Sequence, residues 1–269
     1  MKITFVHAPE DFYDQNYGTQ FLPVWAYCLA SFVPKKWDIE IIDCRLEDIS
    51  DCAPADVFAF GGINQDFISI CEKRDYLKKK FPYALFIVGG PITWSFEQEG
   101  KLKSLNHFDY IIILDGEEAL PFLLQHYQND TLNNIEQIIR FPRFDLSKSR
   151  LGHFDLLDQK GLNYYGAVIE TSRGCPFLCE FCDIRVLPDN NETKNKDIDL
   201  IIMEIDEFYK RGINKFQFAC DNFIGDPKWA NECLDSILKW IEQNEAKISI
   251  FTWLTINLYK MKDLMKKMR

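Results

Sequence analysis

The sequence lacks an apolar run long enough to cross a bilayer. Its longest apolar stretch, FLPVWAYCLASFVP (Phe21–Pro34), is shorter than the roughly 20 residues of a transmembrane helix and has a proline near each end. The opening MKITFVHAPE reaches a histidine, a proline and a carboxylate within ten residues, which is not the apolar core of a signal peptide. We therefore predict a cytoplasmic protein with no transmembrane segment, in which Phe21–Pro34 forms a buried helix.

Positive charge is also scarce. The chain has 31 Lys and Arg residues against 41 Asp and Glu residues, which gives a formal net charge of −10. No basic stripe with interleaved aromatic residues is present. An acidic surface repels phosphate groups, so nucleic acid is not an expected partner.

The first half contains neither a G-x-G-x-x-G nor a Walker A sequence, which disfavours ordinary dinucleotide or phosphate-loop binding. It has instead apolar runs that alternate with stretches of helical periodicity. This alternation predicts right-handed βαβ units and a parallel sheet. The predicted strands are KITFVHA, IEIIDC, DVFAFGGI, LFIVGG and YIIILDG, and the predicted helices are Phe21–Pro34, QDFISICEKRDYLKKKF and EEALPFLLQHY.

Glycines follow three of these strands. They form Gly61-Gly62, Gly89-Gly90 and Gly116, and Glu117 comes directly after the last of them. Ligands of open α/β sheets bind at the carboxyl ends of the strands, where glycine permits close approach to the backbone. Tight strand-to-helix turns use glycine as well, so the pattern leaves a bound cofactor and simple turns as alternatives.

The alternation stops at NNIEQIIRFPRFDLSKSRLGHFDLLDQKGLNYYGA, whose prolines and weak periodicity predict a linker over 137–160, with one short strand at EQIIRF. We expect one domain over 1–136 and a second over 161–269. In the second, YYGAVIETSRGC, NKFQFACDNF and ISIFTWLTINL read as strands, and KDIDLIIMEIDEFYKRG and WANECLDSILKWIEQ as helices. Repeated βα units predict part of a (β/α) barrel, with its chemistry at the carboxyl ends of the strands.

Three cysteines, Cys175, Cys179 and Cys182, lie together in CPFLCEFC, and six more are spread along the chain. A disulfide would leave an odd thiol in a reducing compartment. A structural zinc site needs a fourth ligand, and no second C-x-x-C or H-x-x-x-H follows, although His153 or Cys220 could complete a site. Three thiolates on one loop suit an iron–sulfur cluster that leaves one iron open, so a cluster and zinc are the two alternatives.

CPFLCEFC resembles the hallmark of radical S-adenosylmethionine enzymes, and the longer TSRGCPFLCEFCDI resembles their branch with a cobalamin-binding domain. FIVGGP and FDYIIILDGEEAL are similar to strands of that flavodoxin-like domain. FACDNFIGDPKWANECLDSILKW resembles the DDNFIGN region of the subgroup that includes hopanoid methylases. The resemblance covers nearly the whole chain and implies a cobalamin-binding-like domain followed by a partial radical S-adenosylmethionine barrel.

This resemblance implies that the three cysteines hold a [4Fe–4S] cluster, whose fourth iron binds S-adenosylmethionine and drives formation of a 5′-deoxyadenosyl radical. In cobalamin-dependent relatives the cobalt delivers a methyl group to an unactivated carbon. A small-molecule or lipid-like substrate and a reducing donor such as flavodoxin or ferredoxin would be the partners. Asp221 and Asn222 would lie near S-adenosylmethionine, or would cap a helix or shape a turn instead. Phe181 would shield the cluster and Asn257 would lie at a strand end; the strand-end glycines and Glu117 would bind cobalamin.

Three features depart from the family pattern. The Asp-x-His-x-x-Gly sequence that supplies a lower cobalt ligand is absent, and Cys220-Asp221 stands where the subgroup has paired aspartates. Only three βα units are predicted, fewer than a complete radical domain contains. The last helix, LYKMKDLMKKMR, has an apolar face that is expected to pack on further strands, with a membrane surface or a partner as the alternative. A second function therefore stays open: an electron carrier or partner-binding remnant with a closed iron–sulfur or zinc site, Cys220 supplying the fourth ligand.

Overall fold

The computed structural model describes residues 1–10, 20–158, 164–182 and 187–269. By its internal contacts the chain divides into two units. The first consists of Met1–Gly18, Trp25–Phe144 and Gly152–Leu162, and the second of Thr19–Val24, Asp145–Leu151 and Asn163–Arg269. The predicted boundary at residue 160 lies outside the described residues. No helix in the described ranges is long and apolar enough to cross a membrane.

Six strands of the described chain form one parallel sheet in the first unit, in the flavodoxin-like order β2-β1-β3-β4-β5-β6. The central strands β3 and β5 are buried along their whole length, as the continuous apolar runs predict for a parallel sheet covered on both faces. The strands are β1 (Lys2–His7), β2 (Asp38–Asp43), β3 (Val57–Gly61), β4 (Leu85–Gly89), β5 (Tyr110–Ile113) and β6 (Ile138–Arg140).

Helices lie between these strands along the chain. Apolar side chains from strands and helices form a core that includes Phe58, Phe86 and Phe108, all essentially without exposure. The helices of this unit are α1 (Val24–Ala30), α2 (Phe67–Lys80), α3 (Pro91–Gln98), α4 (Ala119–Gln128) and the single turn α5 (Asp155–Asp158). The α/β class and the parallel sheet are thus confirmed.

Two helices of the first half differ from the sequence prediction. The helix predicted over Phe21–Pro34 is only Val24–Ala30, because Pro23 precedes it and Phe21 and Leu22 pair with Gly166 in the second unit, where the Leu22 N–H donates to the Gly166 carbonyl at 3.0 Å. Helix α3 was not predicted. Gly90 is its N-cap and Pro91 lies in its first turn. In the sequence these residues look like the end of the preceding strand, so the start of the helix was missed.

The second unit contains, among its described residues, a three-stranded parallel sheet in the order β11-β10-β7. Amphipathic helices follow two of the strands: α6 buries Ile201, Ile205 and Phe208 on one face, and α7 begins at Pro227 with Asp226 as its N-cap. The elements are β7 (Ala167–Glu170), β8 (Ser172–Arg173), β9 (Lys194–Asn195), α6 (Ile198–Lys210), β10 (Lys215–Ala219), α7 (Pro227–Asn244), β11 (Ser249–Thr252) and α8 (Lys262–Lys267).

Strand ends in this unit also correct the sequence prediction. The run ISIFTWLTINL forms a strand only over Ser249–Thr252, and Ile256–Lys260 is a 3₁₀ helix, so Asn257 does not lie at a strand end. The chain leaves the strand direction here because the Phe223 N–H donates to the Trp253 carbonyl and the Thr255 N–H to Asn222 Oδ1. Side-chain and backbone contacts from the neighbouring connection thus override the apolar pattern.

The last helix is shorter than its sequence pattern suggested. Leu264 is buried, whereas Met265 on the same predicted face is 45% exposed. Lys267 bonds with Asp235 at 2.5 Å and with Asn231 Oδ1 at 2.8 Å, both on α7. Helix α8 therefore packs against α7, which covers part of the face that was expected to need further strands.

Candidate functional site

The loop with the three cysteines is closed at its base by a two-stranded antiparallel ribbon. Strands β8 and β9 pair Ser172 with Asn195 and Arg173 with Lys194. The residues between them, 174–193, are called the cysteine loop below; positions 183–186, which include the predicted motif residues Asp183 and Ile184, lie outside the described residues. The sequence pattern had extended one strand through this point, and the ribbon was missed because its two strands are far apart in sequence.

Gly174 sets the entry into the cysteine loop. Its φ is +90°, and a Cβ at this position would overlap the Glu192 carbonyl oxygen. Glycine is the residue that adopts this conformation without strain, so it permits the sharp turn before Cys175. The next amide, of Cys175, donates to the Asn190 carbonyl at 2.9 Å.

Asp221 and Asn222 follow β10, and their side chains accept hydrogen bonds from different segments of the chain. Asp221 Oδ2 accepts the Gly174 N–H at 2.7 Å and an Asn190 Nδ2–H at 3.2 Å. Asn222 is buried, with 1% exposure, and its Oδ1 accepts the Thr255 N–H. The structure thus brings Asp221 to the cysteine loop, whereas Asn257 lies in the separate 3₁₀ helix.

Cysteines elsewhere in the chain have a different character. Burial raises the pKa of the Cys44 and Cys233 thiols to about 12 and that of Cys71 to about 11. Burial also raises the pKa of Cys220, whose Sγ lies 3.4 Å from Thr252 Oγ1 on β11. Because metal ligation needs the thiolate, these environments disfavour binding. Cys233 is buried, and the other three side chains are partly buried.

The three thiols of the cysteine loop are free, partly accessible and without a hydrogen bond to any described residue. Across the described residues, however, no three His, Cys, Asp or Glu side chains are gathered closely enough to hold a metal ion. The donor set fits an iron–sulfur cluster chemically, and gathering of the thiols would accompany metal binding, as it does where a metal completes the folding of its own site. Phe181 is 91% exposed and Leu178 67% exposed, so neither side chain packs in the core, and shielding of a cluster by Phe181 stays a prediction.

In the first unit, the predicted glycines lie at the carboxyl ends of adjacent strands, but most of them face atoms of this chain. A Cβ on Gly61 would lie 3.1 Å from the Trp25 ring, and one on Gly62 would lie 2.7 Å from Ile70 Cδ1. Gly90 has a φ of +86° and its Cβ would lie 3.1 Å from the Gly62 backbone. The tight-turn interpretation therefore explains these three positions.

Gly89 and Gly116 have more room. The nearest atom to a Cβ on Gly89 would be Ile112 Cβ at 3.7 Å, an ordinary contact, and a Cβ on Gly116 would meet the flexible Leu29 side chain at 3.3 Å. Glu117, after Gly116, is buried with 8% exposure. Of the strand-end glycines, Gly89 is therefore the one at which an added side chain would meet ordinary contacts alone.

His7 ends β1 beside this edge and was not singled out by the sequence. The Trp25 Nε1–H donates to His7 Nδ1 at 3.3 Å, and burial lowers the His7 pKa to about 4. The imidazole is therefore neutral with its proton on Nε2, because Nδ1 accepts. A histidine held in this tautomer lacks a free nitrogen lone pair for cobalt.

A buried ion pair lies where the ribbon meets α6, and it too was missed. Lys196 Nζ and Glu204 Oε1 are 2.5 Å apart, and both side chains are almost fully buried. Burial raises the Glu204 pKa to about 6, and the attraction of Lys196 offsets this only in part. Eight positions separate the two residues, which is not a spacing that predicts a helical pair.

No family model matches the sequence. An uncharacterized methyltransferase of Synechocystis sp. is 26% identical over 254 residues, which covers 91% of this chain and 45% of the relative. The hopanoid C-2 methylase of Rhodopseudomonas palustris is 26% identical over 250 residues, which covers 90% of this chain and 45% of the methylase.

Solved structures give the same relationship at the level of the fold. The radical S-adenosylmethionine methyltransferase TsrM of Kitasatospora setae, with cobalamin and a [4Fe–4S] cluster bound, aligns with a TM-score of 0.66 at 11% identity, over 99% of this chain and 59% of TsrM. The chain is a distant homologue of the cobalamin-binding radical S-adenosylmethionine methyltransferases. It spans about half the length of the curated relatives it matches.

A second structure of TsrM shows the same likeness in fold. TsrM has also been solved with tryptophan as substrate and a S-adenosylmethionine analogue, and that structure aligns with a TM-score of 0.60 at 12% identity, over 90% of this chain and 52% of TsrM. The family resemblance expected from CPFLCEFC and the strand-end glycines is thus confirmed.

Proposed function

We propose that this protein is a radical S-adenosylmethionine enzyme in which Cys175, Cys179 and Cys182 hold a [4Fe–4S] cluster. The observation that carries the proposal is the placement of three partly accessible thiols on one loop, which the β8–β9 ribbon closes at its base, with no hydrogen bond from these thiols to any described residue. Distant homology to radical methyltransferases supports the same assignment. Three protein ligands leave one iron open for S-adenosylmethionine, as a catalytic zinc keeps an open position.

A bound cluster would supply the electron that cleaves S-adenosylmethionine to a 5′-deoxyadenosyl radical, which removes hydrogen from the substrate. The residues of this chain would bind and orient. Asp221 Oδ1 and the Asn222 amide nitrogen have no hydrogen-bond partner among the described residues, so both offer polar groups beside the cysteine loop. We assign them to contacts with S-adenosylmethionine or its surroundings.

We further propose that the first predicted domain, residues 1–136, binds cobalamin at the carboxyl ends of its strands and that the reaction is methylation of an unactivated carbon. The flavodoxin-like strand order supports this location, because ligands of such sheets bind at the carboxyl ends. We assign the contact to Gly89, where an added Cβ would meet no atom closer than 3.7 Å, and to Gly116 with the adjacent Glu117. Bound cobalamin would supply the methyl carrier; the substrate would be a small or lipid-like molecule, and flavodoxin or ferredoxin would be the electron donor.

Anaerobic reconstitution with iron and sulfide tests the cluster. We expect about four irons per chain in the unchanged protein and a loss of at least tenfold in Cys175→Ser, because each thiolate anchors the cluster. The matched control Cys220→Ser should keep its iron, since that thiol faces Thr252. An unchanged protein that takes up zinc and no iron would contradict the assignment.

The reconstituted protein then separates the possible reactions. Formation of 5′-deoxyadenosine from S-adenosylmethionine under reducing conditions supports the enzyme, whereas a clustered protein that forms none supports an electron carrier.

Incubation with hydroxocobalamin and desalting tests the methyl carrier. Corrin absorbance that stays with the protein supports methylation, and its complete loss leaves a radical enzyme without cobalamin.

A further inference from the structure

The connection between β10 and α7, residues 220–226, touches the cysteine loop and its base at several points. Asp221 is the first of these. Its Oδ2 receives the N–H of Gly174 at the start of the loop and the side-chain amide of Asn190 near the loop's end. Since the Asn190 carbonyl also accepts the Cys175 N–H, the two sides of the loop meet at one carboxylate oxygen.

Gly225 is the second point of contact. A Cβ at this position would overlap Thr193 Oγ1 and would lie 3.3 Å from Pro176 Cδ. Thr193 precedes β9 and Pro176 follows the first cysteine. The backbone of the connection therefore packs directly on both ends of the cysteine loop, at a distance that only glycine allows.

Asp226 is the third. Its Oδ2 accepts an Asn195 Nδ2–H from the ribbon at 2.9 Å, while its Oδ1 accepts the N–H groups of Lys228 and Trp229 as the N-cap of α7. The Trp229 indole donates to the Lys196 carbonyl at 3.2 Å. Because α7 is a long helix with a buried face, it gives the ribbon a fixed support.

We infer that the β10–α7 connection holds the two ends of the cysteine loop, at 174–176 and 190–193, together before any cluster binds, and that Asp221 is the positioning residue for Cys175. The inference rests on the proposed function only for the identity of the cluster that the loop binds. The hydrogen bonds and packing contacts that hold the loop belong to the chain alone. A carboxylate suits the task because one of its oxygens accepts two converging donors, here at 2.7 and 3.2 Å. Its effect on any cluster would pass through the backbone of Gly174 and Cys175, whereas the thiols themselves would be unchanged.

Hydrogen exchange in the iron-free protein tests this directly, at the amides of Gly174 and Cys175. In Asp221→Ala we expect exchange of both amides to accelerate by roughly tenfold or more, because a hydrogen bond is lost. Asp221→Asn keeps an acceptor oxygen at the same place and should restore most of the protection. The control Asp199→Ala, a surface carboxylate of the same unit, should exchange like the unchanged protein.

Gly225→Ala provides a second variant that leaves Asp221 intact. The added methyl group overlaps Thr193 Oγ1, so exchange in the cysteine loop should rise here as well. Circular dichroism identifies any variant that fails to fold, and Asp221→Asn then carries the comparison. Exchange in Asp221→Ala that matches the unchanged protein, or Asp221→Asn no better than Asp221→Ala, overturns the inference.

Iron content after anaerobic reconstitution is the second readout. Asp221→Ala should retain less than half of the iron of the unchanged protein, and Asp221→Asn should retain more than Asp221→Ala. If the unchanged chain binds zinc and no iron, the cluster assignment is wrong, but the result of the exchange experiment still stands. The two failures are therefore distinguishable.

Discussion

His7 shows how burial and one hydrogen bond decide the state of a side chain. Water is excluded around the ring, and the Trp25 indole occupies Nδ1, so the charged form is unfavourable in the folded chain. Two of the other described histidines have ordinary side-chain partners: His107 contacts Cys71, and His126 contacts Thr131. A residue type that commonly ligates metals is here a neutral packing element.

The His7 pKa predicts loss of stability in acid. The pKa is about 4 in the folded state and near 6.5 in the unfolded chain, so the unfolded state binds the proton first as the pH falls. We expect the free energy of unfolding to decrease between pH 6.5 and pH 4, by up to about 3 kcal/mol from this group. Chemical denaturation of His7→Asn across this range should show a free energy of unfolding that depends less steeply on pH.

The exposed His153 gives the control for this measurement, since His153→Asn should keep the slope of the unchanged protein. Glu204 acts in the opposite sense, because its raised pKa makes stability fall as the pH rises from 4.5 to about 6. The difference between the unchanged protein and His7→Asn removes that contribution. Equal slopes in the two proteins would contradict the neutral His7.

At the scale of elements, the connection from β4 to α3 depends on two adjacent glycines with different tasks. Gly90 has a left-handed φ and lies against the Gly62 backbone, while the Gly62 carbonyl accepts the Ile92 N–H at 3.1 Å. Gly89 has neither constraint. The pair therefore offers a matched test of packing against ligand access.

Gly90→Ala should lower the free energy of unfolding by about 1–3 kcal/mol, because the new side chain is strained and meets backbone atoms. Gly89→Ala should change it by less than about 1 kcal/mol, since alanine in a strand costs no more conformational entropy than glycine. Urea denaturation measures both. If cobalamin approaches at Gly89, Gly89→Ala should retain less hydroxocobalamin while its stability stays the same. A Gly90→Ala protein as stable as the unchanged one would refute the packing argument.

At the scale of the whole molecule, several large apolar side chains on β11 and in the residues that follow it are exposed. Strand β11 is an edge strand of its sheet, and side chains around it are exposed, with Phe251 at 51%, Trp253 at 58%, Ile256 at 84% and Tyr259 at 60%. An edge strand with exposed aromatic residues is a surface to which other chains bind.

We expect this chain to associate with itself as its concentration rises. Sedimentation velocity should show larger species at high protein concentration, and Trp253→Lys should reduce them because a charge opposes edge-to-edge pairing. Tyr83→Lys changes another fully exposed aromatic residue, far from this edge in sequence, and should have little effect. A chain that stays monomeric over the whole range would show that the edge is not adhesive.

The sheet of the first unit could be predicted from the sequence because its strands are continuous apolar runs separated by helical stretches, and such runs need no knowledge of distant residues. The early end of β11 and the late start of α1 could not. Each is decided by a hydrogen bond to a distant segment, from Thr255 to Asn222 and from Leu22 to Gly166.

The sequence by itself determined the α/β class, the three thiols on one loop and the relationship to radical methyltransferases, because these reside in local patterns of residue type. Only the tertiary structure decided which cysteines are buried, which glycines face the chain's own atoms, and that Asp221 reaches Gly174 across 47 positions. Hydrophobic periodicity specifies which residues leave water, whereas hydrogen bonds between distant segments depend on how the folded elements meet.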